Sequence, residues 1–410
     1  MKSIVSFLKN ALLNKKYLDY KYLLFFFALV AGWPCVFYLL GWLPHYKLNY
    51  ICLFIISGIL VLFNGKKTVS TKISILVFFQ GFVWLMYFTY YQDTSYITRI
   101  ILLLTTYFIL IIEKRSKENT LLPTYNSWLS LQALLGTIGF VLVLLGLLEP
   151  ISVFREMDGR PGYNFGLFTT NTYIEGLIRI AGFFDEPGAL AHWGLIALWG
   201  NKLFYKNKTI EWILLIGLSC TLSLAYYVQV LFYLCVFYRS SLKKLFPILC
   251  VLIGSVILIS SQSEQFYNAI FGRMEYDAAT GTLAGDNRSD LLAVCWNVFL
   301  ENPILGTGAS NLIVMSKDLG FVGGNFFTFW ATDGIFGLLA MWSPFLYLLV
   351  LGARRKKYLF LFVMFMLEFI HRPYDPTQLL YPLTIFMIIS QMISKTPHLP
   401  DSRSLIKNNI

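Results

Sequence analysis

The chain has 410 residues, of which 57% are hydrophobic and 13% charged, with a formal net charge of +11. A soluble domain typically has roughly 25% charged residues, so this composition excludes an ordinary soluble protein. Apolar runs of about 20 residues, enough to cross a ~30 Å hydrocarbon core, recur along the sequence. A transmembrane barrel would show alternation instead of solid runs. The sequence therefore predicts an all-α polytopic membrane protein.

The sequence predicts about twelve transmembrane helices in a single integral membrane domain spanning residues 1–410. The predicted spans are 22–43, 49–63, 72–91, 97–112, 128–149, 187–204, 209–223, 224–238, 245–261, 332–351, 357–371 and 377–393. The segment 209–238 is too long for one ordinary span and short for two. Basic residues flank it on both sides, which favours two short helices that turn near Leu222. One long tilted helix is the alternative.

Positive charge indicates how the predicted helices are oriented. The N-terminus, the tail 394–410 and the segments 64–72, 113–127, 201–210, 239–244 and 352–357 hold 24 of the 33 Lys and Arg residues. Cytoplasmic loops are enriched in Lys and Arg, so these segments and both termini are predicted to be cytoplasmic. The net charge then reflects orientation, and no nucleic-acid partner is expected. Two long polar segments, 150–186 and 262–331, are predicted to be large external loops that contain amphipathic helices.

Arginine dominates the few basic residues on the predicted external side. Seven of nine are Arg, whereas the cytoplasmic side is mainly Lys. Arginine binds phosphate and carboxylate through a planar fork and stays charged when partly desolvated. An external cluster indicates an anionic, lipid-linked ligand such as a pyrophosphate. The candidate binding residues are Arg155, Arg179, Arg273, Arg288 and Arg372. Structural pairing with external acids is the alternative for each.

Two acidic positions are candidates for proton transfer at the outer membrane edge. Glu186 precedes Pro187, which suits the first position of a helix, and acids suit the positive end of the helix dipole. Helix capping is one interpretation of Glu186. A general base is the other, because partial desolvation raises the pKa of a carboxylate. Glu368 and His371 form the competing pair, for which interface anchoring is the alternative.

The second polar segment carries several short motifs. Residues 289–300 are apolar at helical spacing, which predicts an amphipathic helix with Arg288 at its start. Asn302-Pro-x-x-Gly306-x-Gly308 follows, and Asn325 precedes the next span. The six Cys residues show no metal-ligand spacing, and no nucleotide-binding glycine pattern is present. No metal and no cofactor are expected.

The motifs together resemble the O-antigen polymerase and O-antigen ligase superfamily over about residues 130–345. The resemblance rests on Arg179-x-x-Gly-Phe-Phe-x-Glu-Pro187, on Arg288 with Trp296 and the Asn-Pro-x-x-Gly-x-Gly motif, and on Asn325 with a following Gly-x-x-Gly. It implies a GT-C-like, metal-independent glycosyltransferase of the bacterial inner membrane with a periplasmic site. Undecaprenyl-pyrophosphate-linked glycan would be donor and acceptor, with Arg179 and Arg288 holding pyrophosphate and Asn325 in the site. Membrane lipid, a chain-length regulator and a flippase are the other expected partners.

One departure from the family pattern favours a polymerase. The ligases usually carry a His immediately before the Asn that corresponds to Asn325, and this chain has Gly324 there. A ligase that attaches glycan to lipid A–core is the second interpretation, and a lipid-linked oligosaccharide flippase is the third. A transporter is expected to place charges near the bilayer midplane and often shows two related halves. Most charges here lie outside the predicted spans, and no halves are evident.

Overall fold

A computed structural model describes the greater part of the chain. The described residues are 20–32, 46–63, 69–115, 120–155, 161–174, 177–239, 267, 275–277, 282–283, 289–312, 314, 325–353 and 356–394. The predicted span 245–261 and the tail beyond 394 lie outside them, as do the candidate residues Arg273 and Arg288.

The described part is mostly helical. Its helices are α1 (Tyr20–Ala31), α2 (Tyr46–Phe63), α3 (Thr71–Tyr91), α4 (Thr94–Arg115), α5 (Leu121–Leu144), α6 (Pro187–Gly200), α7 (Lys208–Gly217), α8 (Leu224–Phe237), α9 (Ser289–Glu301), α10 (Thr328–Ala353), α11 (Lys356–His371) and α12 (Leu380–Ser394). Among the described helices, α3, α4, α5 and α10 are long and apolar enough to cross a membrane. The chain is therefore a helical membrane protein. Shorter apolar helices, among them α2, α8, α11 and α12, lie at other predicted spans, so the count of twelve stays a prediction.

The two-helix interpretation of residues 209–238 is confirmed. Helix α7 continues as a 3₁₀ turn, Leu218–Thr221, and the chain reverses at Leu222, which has a left-handed φ of 49°. Helix α8 then returns. At the end of the hairpin opposite Leu222, the Nζ atoms of Lys202 and Lys208 each lie 2.8 Å from the hydroxyl of Tyr238. Both flanks of the hairpin thus meet at one end of the bundle, as the basic flanks predict.

The prediction of an all-α fold is wrong for the first polar segment. Instead of an amphipathic helix, it forms a four-stranded antiparallel sheet in the order β1-β2-β3-β4. The strands are β1 (Ser152–Arg155), β2 (Pro161–Asn164), β3 (Thr169–Ile174) and β4 (Leu177–Gly182). Strand β4 alternates buried Ile178 and Ile180 with partly exposed Arg179, which is the two-residue period of a strand with one covered face.

The sheet packs directly on helix α5, and small residues allow the close approach. A Cβ at Gly136 would lie 2.8 Å from the Ile180 side chain, and one at Gly139 only 1.9 Å from the Phe168 ring. The glycines of α5 therefore allow close packing of β4 and of Phe168, the residue before β3. The sheet is fixed to the end of the bundle at which α5 ends and α6 begins.

The amphipathic helix predicted at 289–300 is confirmed as α9. Its apolar face buries Cys295, Val298 and Phe299 near the start of α10, while Leu300 is exposed. A small two-stranded hairpin, β5 (Tyr276–Asp277) with β6 (Thr282–Leu283), precedes it.

Helix α10 is interrupted at Gly334, where φ is 57° and ψ is −170°. The interruption frees backbone groups that the loop after α9 satisfies. Four hydrogen bonds join them: Thr307 N to Ala331 O, Gly308 N to Thr332 O, Ile335 N to Pro303 O, and Phe336 N to Ile304 O, at 2.8 to 3.1 Å. A Cβ at Gly306 would lie 2.4 Å from the Thr332 carbonyl. The Asn-Pro-x-x-Gly-x-Gly motif thus has a structural role here.

Two helices form the centre of the molecule. Residues Leu380 to Met392 of α12 are all buried, and in α6 every residue except Gly188 is buried. Both helices begin at the end of the bundle that carries the sheet. Because these helices are enclosed by protein, any polar group on them must find a partner within the bundle.

Candidate functional site

Glu186 and Arg372 meet where α6 begins and α11 ends. Glu186 is the N-cap residue of α6, and its side chain makes no capping hydrogen bond. Instead, Nη2 of Arg372 donates a hydrogen bond to Oε1 of Glu186. The pair joins positions 186 residues apart, with the Arg372 side chain 13% exposed and the Glu186 side chain 30% exposed. An accessible carboxylate is therefore held in place by a largely covered guanidinium.

The surroundings of Arg372 keep it firmly protonated. Burial alone would lower its pKa, but the Glu186 carboxylate, with Tyr381 and Asp185, outweighs that effect and raises the pKa. Glu186 correspondingly has a cation beside it. The capping interpretation is correct about the position of Glu186 but not about its side chain.

A second pair lies deeper in the bundle. Nδ1 of His192 lies 2.7 Å from Oε2 of Glu368, and the two side chains are 1% and 2% exposed. His192 is six residues after Glu186, about 9 Å along α6. Glu368 lies one helical turn before Arg372, whose backbone N–H donates to the Glu368 carbonyl over 2.7 Å. The two pairs are therefore neighbours on the same two helices.

The structure gives Glu368 a partner that the sequence did not indicate. Glu368 contacts His192, which comes from a helix 176 residues away in sequence. His371 is the last residue of α11, and its side chain is not among those that the structure describes. The only signal in the sequence was that His192 and Glu368 each stand as an ionisable residue within an apolar span.

Aromatic rings enclose the His192–Glu368 pair. The Tyr381 ring lies 5.7 Å from the His192 ring and 4.8 Å from the Trp193 ring, and the Phe369 ring lies 6.4 Å from His192. Tyr381 also lies within electrostatic range of Glu368, Arg372 and Glu186. It therefore occupies the space between the buried pair and the Glu186–Arg372 pair.

Sequence reasoning missed a third pair, between Arg99 of α4 and Asp333 of α10. Nη1 of Arg99 lies 2.9 Å from Oδ2 of Asp333, and both side chains are 1% exposed. The Tyr96 hydroxyl donates to the other carboxylate oxygen over 3.0 Å. The guanidinium carbon lies 4.7 Å from the ring centres of both Trp84 and Tyr96. Asp333 precedes Gly334, at which α10 is interrupted. In the sequence, the available signal was an acid followed by a glycine within an apolar stretch.

Asp375 extends the polar cluster along the loop between α11 and α12. Its Oδ1 accepts hydrogen bonds from the backbone N–H and the hydroxyl of Thr377, at 2.8 and 2.7 Å. Burial raises the pKa of Asp375, and the Thr377 hydrogen bonds and Arg99 only partly oppose this. Asp375 thus lies within electrostatic range of the Arg99–Asp333 pair.

The cluster as a whole is not basic. It contains four carboxyl groups, on Glu186, Asp333, Glu368 and Asp375, and two guanidinium groups, each bonded to a carboxylate. Among the described residues, therefore, this end of the bundle offers no ready cluster of unneutralised arginines. An anion would have to draw Arg372 away from Glu186 or use basic residues beyond the cluster.

Two of the other predicted binding residues lie on the sheet. Arg179 lies in β4, where its Nε donates to the carbonyl of Thr221 over 2.9 Å, at the α7–α8 turn. Arg155 ends β1, opposite Pro161, and its side chain is not among those that the structure describes.

Asn325 lies at the entry to α10. It is 3% exposed, its Oδ1 accepts from Phe327 N over 2.9 Å, and its Nδ2 donates to Sγ of Cys295 over 3.3 Å. The amide thus holds the entry to α10 against α9, and its predicted binding role stays a prediction.

No known protein family, curated protein or solved structure matches the chain. We therefore infer the function from side-chain geometry and from the motifs in the sequence.

Proposed function

We propose that this protein is a polysaccharide repeat-unit polymerase of the bacterial inner membrane, acting on O-antigen or a related surface glycan. The donor is the growing glycan on undecaprenyl pyrophosphate, and the acceptor is a sugar hydroxyl of a new lipid-linked repeat. The observation that carries the proposal is the convergence of three sequence candidates. Glu186, at the start of α6, meets Arg372 from a distant segment, and Glu368 lies one helical turn before Arg372.

The reaction needs little beyond alignment, charge neutralisation and one proton acceptor. The acceptor hydroxyl oxygen attacks the anomeric carbon of the donor glycan and forms the new glycosidic bond. The bond from that carbon to the pyrophosphate oxygen breaks, and lipid pyrophosphate leaves with the electron pair. The hydroxyl proton passes to Glu186, the carboxylate that is 30% exposed at the start of α6.

Arg372 has two successive roles in this proposal. At rest it pairs with Glu186, and the adjacent cation makes the carboxylate a weaker base. A bound pyrophosphate competes for the guanidinium. Once Arg372 turns to the phosphate oxygens, Glu186 loses its cation and becomes a stronger base. Donor binding would thus activate the proton acceptor.

Arg179 and Arg288 remain the proposed contacts to the pyrophosphate, with Arg273 and Arg155 as further candidates on the same external segments. The site would face the periplasm, and both termini would lie in the cytoplasm. Membrane lipid, a flippase and a chain-length regulator are the proposed partners.

A flippase is the second candidate function, and one structural observation favours it. The His192–Glu368 and Arg99–Asp333 pairs place ionisable groups inside the bundle, where transporters commonly use them. The sequence had indicated that most charges lie outside the spans. Of the two alternatives to a polymerase, the buried pairs therefore favour a flippase over a ligase.

Gene deletion in the host distinguishes these functions. Electrophoresis of the surface polysaccharide should show a single repeat unit on the core if the chain is a polymerase. Polymer that remains on its lipid carrier, with none on the core, would indicate a ligase, and loss of all external repeats would indicate a flippase.

Complementation of the deletion then tests the assigned base. Glu186→Gln should reach the membrane at the wild-type level yet form no polymer ladder, since the amide keeps the shape but cannot accept a proton. Asp185→Asn is the matched control, because it removes the neighbouring acid and leaves Glu186 in place. A normal ladder from Glu186→Gln would remove Glu186 from the mechanism.

A further inference from the structure

His192 and Glu368 form an isolated polar pair in an apolar environment. They contact each other over 2.7 Å, and each side chain is at most 2% exposed. The remaining polar atoms, Nε2 of His192 and Oε1 of Glu368, have no hydrogen-bond partner among the described residues. A pair that only held two helices together would be expected to satisfy these atoms, because buried polar atoms without partners are destabilising.

The charged groups nearby are already engaged with one another. Arg372 pairs with Glu186, and Arg99 pairs with Asp333. The hydroxyls of Tyr125 on α5 and Tyr381 on α12 also lie in electrostatic range of Glu368. Among the described residues, Glu368 therefore has no cation within hydrogen-bond distance other than a protonated His192.

The number of protons on the pair determines its net charge. We count the protons added to a neutral imidazole and a carboxylate. With none, the His192–Glu368 pair carries one negative charge. With one proton, on either residue, the net charge is zero. With two, it is positive. An environment of low dielectric constant disfavours net charge, so the enclosure favours the state with one proton.

We propose that His192 and Glu368 together form a proton-binding site inside the membrane domain. The pair holds a single proton across its 2.7 Å contact and exchanges it as a unit. The site is occupied whether or not the protein polymerises glycan. Since Glu368 lies one helical turn from Arg372, its occupancy sets the charge directly beneath the Glu186–Arg372 pair and links that pair to proton uptake.

The test counts protons released when the protein unfolds. Purified protein in a weakly buffered detergent solution at pH 8 is unfolded with guanidinium chloride, and an indicator dye reports the release. Unfolded Glu and His have ordinary pKa values of about 4.3 and 6.5, so both lose their protons at this pH. The wild type should release one proton per chain more than Glu368→Gln, in which the neutral amide faces a neutral imidazole. Equal release would overturn the site.

Controls separate this result from general damage. Glu211 is also buried, but it bonds to Lys202 and Lys208 and is therefore ionised in the folded state. Glu211→Gln should release the same number of protons as the wild type, and loss of the extra proton there too would overturn the assignment. If Glu368→Gln does not fold, the double variant Glu368→Gln/His192→Gln keeps a neutral hydrogen-bonded pair.

Infrared spectra of the wild type and of Glu368→Gln supply a second measurement. A protonated carboxyl or imidazolium band at pH 8 that the folded wild type shows and the variant lacks is expected, and identical spectra in these regions would overturn the proposal. No glycan is present in these experiments. Their failure therefore leaves the polymerase proposal standing, and a failure of the ladder experiment leaves the proton count standing.

Discussion

The Arg99–Asp333 pair and the Glu186–Arg372 pair share a chemistry but differ in their surroundings. Both side chains of the first are 1% exposed, and Tyr96 and Trp84 enclose the guanidinium. The second has side chains 13% and 30% exposed and lies where two helices end. The first pair is fixed within packed helices, whereas the second can change partner with little disturbance of the core. Burial thus separates a structural ion pair from one suited to a site.

The Arg99–Asp333 pair lies next to the site at which the loop after α9 docks on α10. Asp333 precedes the interruption at Gly334, and the loop 303–308 bonds to the backbone on both sides of it. The hydroxyl of Tyr87 donates to the Asp333 carbonyl as well. Helices α3, α4 and α10 are therefore held together at one place, and the amphipathic helix α9 is attached through it.

The largest expected effect on stability comes from breaking the Arg99–Asp333 pair. Asp333→Ala leaves a buried guanidinium without its counterion and should cost about 3–5 kcal/mol. Thermal unfolding in detergent, together with the yield of monodisperse protein, measures this. The double variant Arg99→Leu/Asp333→Leu removes both charges and should recover much of the loss. A loss below 1 kcal/mol for Asp333→Ala would show that the comparison between the pairs is wrong.

An intermediate effect is expected at the loop that docks on α10. Gly306 has φ of 73°, and an added Cβ would meet the Thr332 carbonyl at 2.4 Å. Gly306→Ala should therefore cost about 1–3 kcal/mol from backbone strain alone, and more from the clash. Gly146 is the matched control, with φ of 67° and nothing within 4 Å of a Cβ. Thermal unfolding should place Gly306→Ala clearly below Gly146→Ala, and equal losses would contradict the docking role.

The smallest effect on stability is expected at Arg372. Arg372→Lys keeps a cation beside a carboxylate that is 30% exposed, so stability should change by at most about 1 kcal/mol. Polymer formation should nevertheless fail, because Lys cannot offer phosphate a planar fork. The polymer ladder and the unfolding temperature are measured on the same variant. A full ladder would reduce Arg372 to an electrostatic partner of Glu186.

The sequence by itself determined the class of protein and much of its helix order. Solid apolar runs require helices in a membrane because the backbone must satisfy its own hydrogen bonds there. Basic flanks correctly indicated the α7–α8 hairpin, and helical spacing indicated α9. Periodicity along a chain contains this information because it reflects which face each residue presents.

The tertiary structure alone decided what the polar groups contact. The sequence favoured a helix for 150–186, but packing against the glycines of α5 selects a sheet. It grouped Glu368 with His371, three positions later on the same helix, whereas the fold brings His192 to Glu368 from 176 residues away. Contacts of this kind depend on how separate helices align in three dimensions, and no local pattern in one helix specifies its partner. For the same reason Arg99 and Asp333, 234 residues apart, were not recognised as a pair.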